Sequence, residues 1–149
     1  MKLFVELSKR IDSDGSATGD AFEGVLKSAT AGPPLAPGLK IRGRILRLQQ
    51  ALSPRRQFIF AVRLDAIQKE GEWQALAVDP AQESQVTKPY TLSGGAAQLR
   101  TRTPIRPMPI EGMPNAVGFT FFTDRDRLVL EPGWTSVWIT REPCMIPMR

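Results

Sequence analysis

The chain has 149 residues, and its 20 lysines and arginines against 15 aspartates and glutamates give a formal net charge of +5. This length fits one domain with a sizeable core, and the hydrophobic content of 42% is ordinary for a soluble globular protein. Histidine is absent and Cys144 is the single cysteine, which excludes Ser-His-Asp and Cys-His catalysis, an internal disulfide and a cysteine-rich zinc site. We therefore expect a non-enzymatic protein with no metal and no cofactor.

Membrane insertion and export leave no clear signal in the sequence. No apolar run approaches the roughly 20 residues that a bilayer-spanning helix needs. The apolar part of the opening MKLFVELSKR is too short for a signal-peptide core and contains Glu6. The sequence therefore predicts no membrane span. For targeting, we expect either a chain without a targeting segment or the mature part of a longer precursor.

Two strands are predicted near the beginning of the chain. KLFVELSK places Leu3, Val5 and Leu7 on one face, and AFEGVLKSAT alternates in the same way. The intervening IDSDGSATGD is dense in Asp, Ser and Gly, which is typical of a turn or loop.

This loop has a partial calcium-loop spacing. Asp12, Asp14, Ser16 and Glu23 fall at the ligand positions of such a loop, but Ala17 stands where a glycine is required for its sharp turn. No helix flanks the segment, so a solvated loop is the favoured interpretation.

The stretch LAPGLKIRGRILRLQQ predicts a turn at Pro37-Gly38 followed by a bent strand. Alternating residues from Leu39 to Ile45 face inward, and the apolar phase slips by one residue at Leu46, which predicts a β-bulge. Gly43 on the inward face permits the bend that a small barrel needs.

The outward face of this strand is basic. A cationic stripe is formed by Lys40, Arg42, Arg44, Arg47, Arg55 and Arg56. Phosphate binding requires such a stripe, and proteins that bind single strands add exposed aromatic side chains. Phe58 and Phe60 alternate with aliphatic residues, which favours the core instead. A solvated outer face is therefore preferred, and binding of a nucleic acid is the alternative.

A hairpin is predicted next. RRQFIFAVRLDAIQ alternates strongly, KEG at 69–71 forms a tight turn, and EWQALAV with Trp73 is the partner strand. Asp65, Glu70, Glu72 and Asp79 are the acids from which a catalytic carboxylate pair would come, but nothing in the pattern selects two of them.

Residues 80–115 break the pattern with six prolines and little alternation. We interpret this segment as a Pro-rich loop or arm, or as a wandering segment with one short strand near Ala97–Thr103. A long loop without its own core can become ordered on a partner.

The C-terminal part returns to strands in AVGFTFFTD, LVLEPG and WTSVWIT, with a charged turn at DRDR. Trp134 and Trp138 lie four residues apart and share one face of their strand. Packing in the core or at a barrel end is the favoured interpretation, and an exposed partner surface is the alternative.

These elements predict a single all-β domain over residues 1–149. Seven or eight mostly short strands with turn punctuation, and no amphipathic helix of three turns, indicate a small antiparallel β-barrel or a barrel-like sandwich.

The order of these motifs resembles a β-domain found in many bacterial cell-envelope proteins. The matching positions are Gly19-Asp20, Gly24, Pro37-Gly38, Gly43-Arg44 and Leu64-Asp65. The terminal GFTFFTDRDRLVLEPGWTSVWIT looks like the closing hairpin of that family. The layout is also distantly similar to the TrbI-like barrel of conjugation and type IV secretion channels, although no helical insertion is present.

This resemblance implies a non-enzymatic structural or interaction module of the periplasm or cell envelope, associated with secretion. Its expected partner is another envelope protein or a second copy of the chain. The family supplies no catalytic residues. Since the given chain lacks a signal peptide, a cytoplasmic location is the alternative.

Overall fold

The computed structural model describes residues 2–15, 18–29, 37–52, 56–81, 90–94, 97–100, 105–122 and 127–147. These residues form strands and no helix, so the described chain contains no helix that could cross a membrane. The strands are β1 Lys2–Leu7, β2 Ile11–Asp12, β3 Ala21–Ala29, β4 Lys40–Ala51, β5 Gln57–Lys69, β6 Glu72–Pro80, β7 Tyr90–Gly94, β8 Ala97–Arg100, β9 Ile105–Pro109, β10 Ala116–Phe122, β11 Arg127–Leu130 and β12 Thr135–Pro147.

The strands form two antiparallel sheets. The larger sheet has eight strands in the order β4-β3-β1-β12-β6-β5-β10-β9, and an additional β4–β5 pairing closes the first six of them into a ring. The smaller sheet has the order β2-β11-β7-β8. This arrangement confirms the predicted all-β, barrel-like fold.

The core is built from the inward positions that alternation predicted. Leu3, Val5 and Leu7 of β1 are at most 6% exposed, and the alternate residues of β5 from Phe58 to Leu64 are at most 3% exposed. One cluster of buried side chains extends through both sheets. Burial of a large apolar side chain stabilises the fold by about 1.5–3 kcal/mol.

The predicted bulge of β4 is confirmed. In the pairing of β4 with β5, Ile45 lies opposite Val62 and Arg47 opposite Ala61, so Leu46 is the extra residue. After this slip, Leu48 packs against the core.

Gly43 is required by a close approach between strands. A Cβ atom at this position would collide with the backbone carbonyl oxygen of Arg63 and with the ring of Phe22. A second register shift, between Arg42 and Gly43, lies beside it. The absent side chain therefore lets β4 pass close to β5 at a bend of the ring.

The β5–β6 hairpin is confirmed with its turn at Glu70-Gly71. Both turn residues have positive φ values, 53° and 79°, and Lys69 pairs with Glu72. This conformation is typical of a two-residue type I′ turn, whose twist matches that of the flanking strands.

Asn115 joins three strands where the sheet divides. One edge of β5 pairs with β10 over its first half and with β6 over its last residues. Between these pairings, the Asn115 amide nitrogen donates to the carbonyl oxygens of Leu64 and Leu76 at 3.0 and 2.6 Å, and its side-chain oxygen accepts from the backbone N–H of Val78 at 3.0 Å. The φ of Asn115 is +67°, a region that asparagine tolerates better than most residues.

Three expectations are corrected by the strand pairings. The segment 80–115 contains β7, β8 and β9 where a loop or arm with at most one strand was predicted, and β9 carries Pro107 and Pro109 at an end of the larger sheet, where proline is tolerated. The loop after β1 contains the short strand β2. The C-terminal Pro132-Gly133 turn does not close a hairpin, because β11 pairs in the smaller sheet and β12 in the larger one.

Candidate anion-binding face

The core beside Trp134 has room for a single water molecule. A cavity of about 10 Å³ lies there, lined by Leu7, Phe60 and Trp134 among others. The indole N–H of Trp134 is buried and finds no hydrogen-bond partner among the residues that the structure describes. A ligand-sized groove lies on the outer surface of the sheet, beside Lys40 of β4.

The two tryptophans of the predicted partner surface are buried. Trp134 is 4% exposed and Trp138 is 0% exposed. Trp134 makes edge-to-face contacts with Phe60 and Phe119, with ring centroids 5.7 and 5.0 Å apart, and Trp138 donates its indole N–H to the Ser136 hydroxyl at 2.8 Å. The interpretation as core residues is confirmed, and the exposed-surface alternative is wrong, because both rings pack inside the protein.

The predicted cationic stripe lies on the outer face of the barrel wall. Lys40, Arg44 and Arg47 of β4 are exposed, Arg42 is half-buried, and Arg56 is exposed just before β5. Arg55 lies outside the described residues.

A further cation that the sequence analysis did not assign to the stripe belongs to this face. Arg63 of β5 lies directly opposite Arg44 of β4. We call Lys40, Arg42, Arg44, Arg47 and Arg63 the cationic row. Opposite charges that face each other on neighbouring strands contribute about 0.2–1 kcal/mol of stability, and like charges in the same positions are destabilising.

Local partners orient the arginines of the row without neutralising all of them. The Arg63 Nε lies 2.6 Å from an Asp65 carboxylate oxygen, which compensates that charge. Arg44 donates to the carbonyl oxygen of Gly19 at 3.1 Å, and a carbonyl carries no net charge. With the Gln49 amide turned so that its oxygen faces Arg47, that oxygen accepts from the guanidinium at 2.6 Å. The arginine side chains are therefore held in place at the surface.

A groove of about 490 Å³ adjoins the Lys40 end of the row. Its volume lies in the range of small-molecule sites, about 300–1,000 Å³. The guanidinium carbon of Arg42 lies 4.5 Å from the ring centroid of Trp73, which is a cation–π contact. The groove is lined by Ser8, Glu23, Gly24, Val25, Lys40, Ile41, Arg42, Gln68 and Trp73.

Trp73 and Arg63 could have been recognised as members of the candidate site from the pairing of the strands. The KEG turn places Trp73 opposite Gln68, and the β4–β5 register brings Arg63 to Arg44. The hairpin turn is local and was predicted. The β4–β5 register depends on two bulges: the first shifts the pairs from Gly43 to Ile45 by one residue, and the second restores the original register from Arg47 onward.

The acidic loop holds an arginine in its described part. Asp12 receives a bidentate interaction from Arg127, whose Nε lies 3.0 Å from one carboxylate oxygen and 3.3 Å from an Asp14 oxygen. The hydrogen bonds from Arg127 lower the pKa of Asp12 to about 2. Ser16 and Ala17 of the calcium-loop spacing lie outside the described residues. Arg127 therefore already binds the Asp12 carboxylate, which stands at the first ligand position of the calcium-loop spacing.

Two of the four acids considered for catalysis pair with arginines, and the other two lie at one hairpin turn. Asp65 pairs with Arg63, and Asp79 lies 3.6 Å from the Arg141 guanidinium. Glu70 belongs to the hairpin turn, and Glu72 begins β6 directly after it. In the described part of the chain, no three acidic, cysteine or histidine side chains come together as metal ligands.

Comparison with protein-family models, with curated proteins and with solved structures found no match to this chain.

Proposed function

We propose that this chain is a non-catalytic binding module and that an acidic partner binds to the cationic row. The observation that carries this proposal is the line of exposed cations Lys40, Arg44 and Arg47 along the outward face of β4. Clustered cations cost stability within the sheet and attract a polyanion from solution. The net charge of +5 acts in the same direction.

Salt-dependent binding tests this function. Binding of labelled oligothymidylate and of labelled polyglutamate is measured by fluorescence anisotropy over a range of salt concentrations. We expect at least one of them to bind at low ionic strength and to dissociate as salt is added, because binding releases condensed counterions. Failure of both polyanions to bind at low ionic strength would overturn the proposal.

A double variant identifies the surface that binds. Arg44→Ala with Arg47→Ala removes two cations of the row, and for a single-stranded nucleic acid we expect the slope of log K against log salt to fall by about 1.4. The matched control is Lys2→Ala with Arg141→Ala. It removes two exposed cations from β1 and β12, strands that β3 separates from β4 in the sheet order. Equal weakening by the two double variants would contradict the assignment of the row.

A polymeric partner, such as a single-stranded nucleic acid, is favoured over a single anion by the spacing along β4. Lys40, Arg42 and Arg44 are alternate residues of one strand, so their Cα atoms follow each other at about 6.6 Å. Such a linear repeat of cations matches an extended chain of phosphates better than it matches a single anion.

The resemblance to envelope β-domains supports a different partner, an envelope protein or a second copy of this chain. An envelope location and a role in secretion stay predictions of that resemblance. Cell fractionation of the tagged full-length protein tests them, and recovery of the tagged protein wholly in the cytosolic fraction would contradict them.

A further inference from the structure

We infer that the groove at the Lys40 end of the cationic row is a subsite for one base of a single-stranded nucleic acid. The phosphates of the same strand lie along the row. This inference rests on the proposed function and specifies its partner.

The groove offers a flat surface for stacking. Trp73 is half-buried, and the guanidinium of Arg42 lies 4.5 Å from its ring centroid. Bases that are not paired stack on aromatic rings and on the planes of arginine side chains. Together, Arg42 and Trp73 provide both kinds of surface in one place.

The strand pairings fix this geometry on rigid elements. Trp73 lies opposite Gln68 in the β5–β6 hairpin, and Arg42 lies opposite Ala66 of β5 and Glu23 of β3. Side chains that project from paired strands are positioned better than side chains on loops. The subsite is therefore formed before a ligand arrives.

The polar groups of the groove fit a base better than an acidic peptide. The Gln68 amide and the Ser8 hydroxyl can both donate and accept hydrogen bonds, and base edges carry both donors and acceptors. The Glu23 carboxylate also lines the groove, and it pairs with Lys9 at a distance of 3.4 Å. A peptide carboxylate at this place would be repelled by Glu23, whereas a base can donate to it, thymine through its ring N3–H and the other DNA bases through an exocyclic amine.

The cations continue from the groove along the strand. Lys40 and Arg42 line the groove, and Arg44 is the next outward residue on β4. A base in the groove thus places its own phosphate near the start of the cationic row. The half-buried Val25 also lines the groove.

The experiment compares two polymers of equal charge, oligothymidylate and an abasic deoxyribose-phosphate strand of the same length. The wild-type chain should bind oligothymidylate more tightly, and Trp73→Ala should weaken that binding by about 5- to 150-fold, which corresponds to the loss of stacking for one base. Binding of the abasic strand should not change. Trp73→Phe keeps a ring for stacking and should retain most of the affinity.

Matched controls separate stacking from folding. Ile139→Ala removes another exposed apolar side chain, 42% exposed, on β12 and should not change either affinity. Far-ultraviolet circular dichroism of Trp73→Ala and Trp73→Phe should match that of the wild type. If only Trp73→Ala is misfolded, the preference of the wild-type chain for bases over the abasic strand decides the question.

The outcomes distinguish the two proposals. Equal binding of both strands, unaffected by Trp73→Phe and Trp73→Ala, would overturn the base subsite and leave the acidic-partner function standing. Polyglutamate binding as tightly as oligothymidylate would also overturn the subsite and identify an acidic protein as the partner. Absence of binding by all three polymers would overturn both proposals.

Discussion

The ring and the smaller sheet are held together in different ways. The ring strands run from 6 to 13 residues, and β4 and β5 pair over most of their length. The strands of the smaller sheet run from 2 to 5 residues, and β2 and β11 pair at two positions. Short pairings supply few backbone hydrogen bonds, so the smaller sheet depends more on individual side chains.

Two side-chain contacts show this dependence. Arg127 of β11 binds Asp12 of β2, and Tyr90 of β7 contacts the ring of Phe121 on β10 with centroids 5.1 Å apart. Tyr90 and Phe121 both belong to the buried cluster, which joins the smaller sheet to the larger one. Substitutions in the ring should therefore act through backbone geometry, and substitutions in the smaller sheet through ionic and aromatic contacts.

The largest effect is expected for Asn115→Ala. This variant removes the hydrogen bonds to Leu64, Leu76 and Val78 and the one that Arg141 donates at 2.6 Å. At about 1 kcal/mol for each bond, the free energy of unfolding should fall by about 4 kcal/mol. Denaturant unfolding measures the change.

Asn115→Gly and Met113→Ala serve as controls for Asn115→Ala. Glycine accepts the positive φ, so Asn115→Gly isolates the loss of the side-chain hydrogen bonds. Met113 is exposed at 37%, and its replacement should change stability by less than about 0.5 kcal/mol. A fall of less than about 0.5 kcal/mol in the free energy of unfolding of Asn115→Ala would show that Asn115 does not hold the divided sheet together.

A smaller but still large effect is expected for Gly43→Ala in the ring. The new Cβ atom meets a backbone carbonyl that cannot move without shifting β5, so the protein should lose about 2–3 kcal/mol. Gly118→Ala on β10 is the matched control, because its nearest neighbour, the Met108 carbonyl oxygen, would lie 3.8 Å away in ordinary contact. Thermal unfolding of the two variants compares them, and equal losses would contradict the close approach of β4 to β5.

The smallest effect is expected for Asp12→Asn in the smaller sheet. The Asp12–Arg127 pair is partly exposed, so its loss should cost about 1 kcal/mol at neutral pH. The pKa of Asp12 is lowered from 3.8 to about 2 in the folded protein, chiefly by the hydrogen bonds from Arg127. The stabilisation is therefore present above pH 3.8 and is lost as the pH falls toward 2.

Unfolding free energies measured between pH 5 and pH 2 test this linkage. The free energy of unfolding of the wild type should exceed that of Asp12→Asn at pH 5. This difference should shrink as the pH falls, and the two free energies should converge toward pH 2. A difference that stays constant with pH would show that the pair does not contribute through its charge.

Local patterns predicted a large part of the ring. The inward faces of β1, β4 and β5, the bulge at Leu46 and the hairpin turn at Glu70-Gly71 all follow from alternation and turn residues, which act over a few neighbouring positions. The smaller sheet was harder to predict, because β2 has two residues and β7 and β8 lie among prolines and glycines with little alternation.

For the candidate site, the sequence by itself determined the cations of β4 and the face on which they lie, because a strand has a strict two-residue period. Only the tertiary structure decided that Arg63 faces Arg44, that Arg42 stacks on Trp73 and that Asn115 joins the divided sheet. These contacts bring together residues that are distant in the chain, and the register of two bulged strands sets them. Alternation predicted one of the two bulges, at Leu46, and not the one beside Gly43, so the pattern of neighbouring residues did not by itself fix this register.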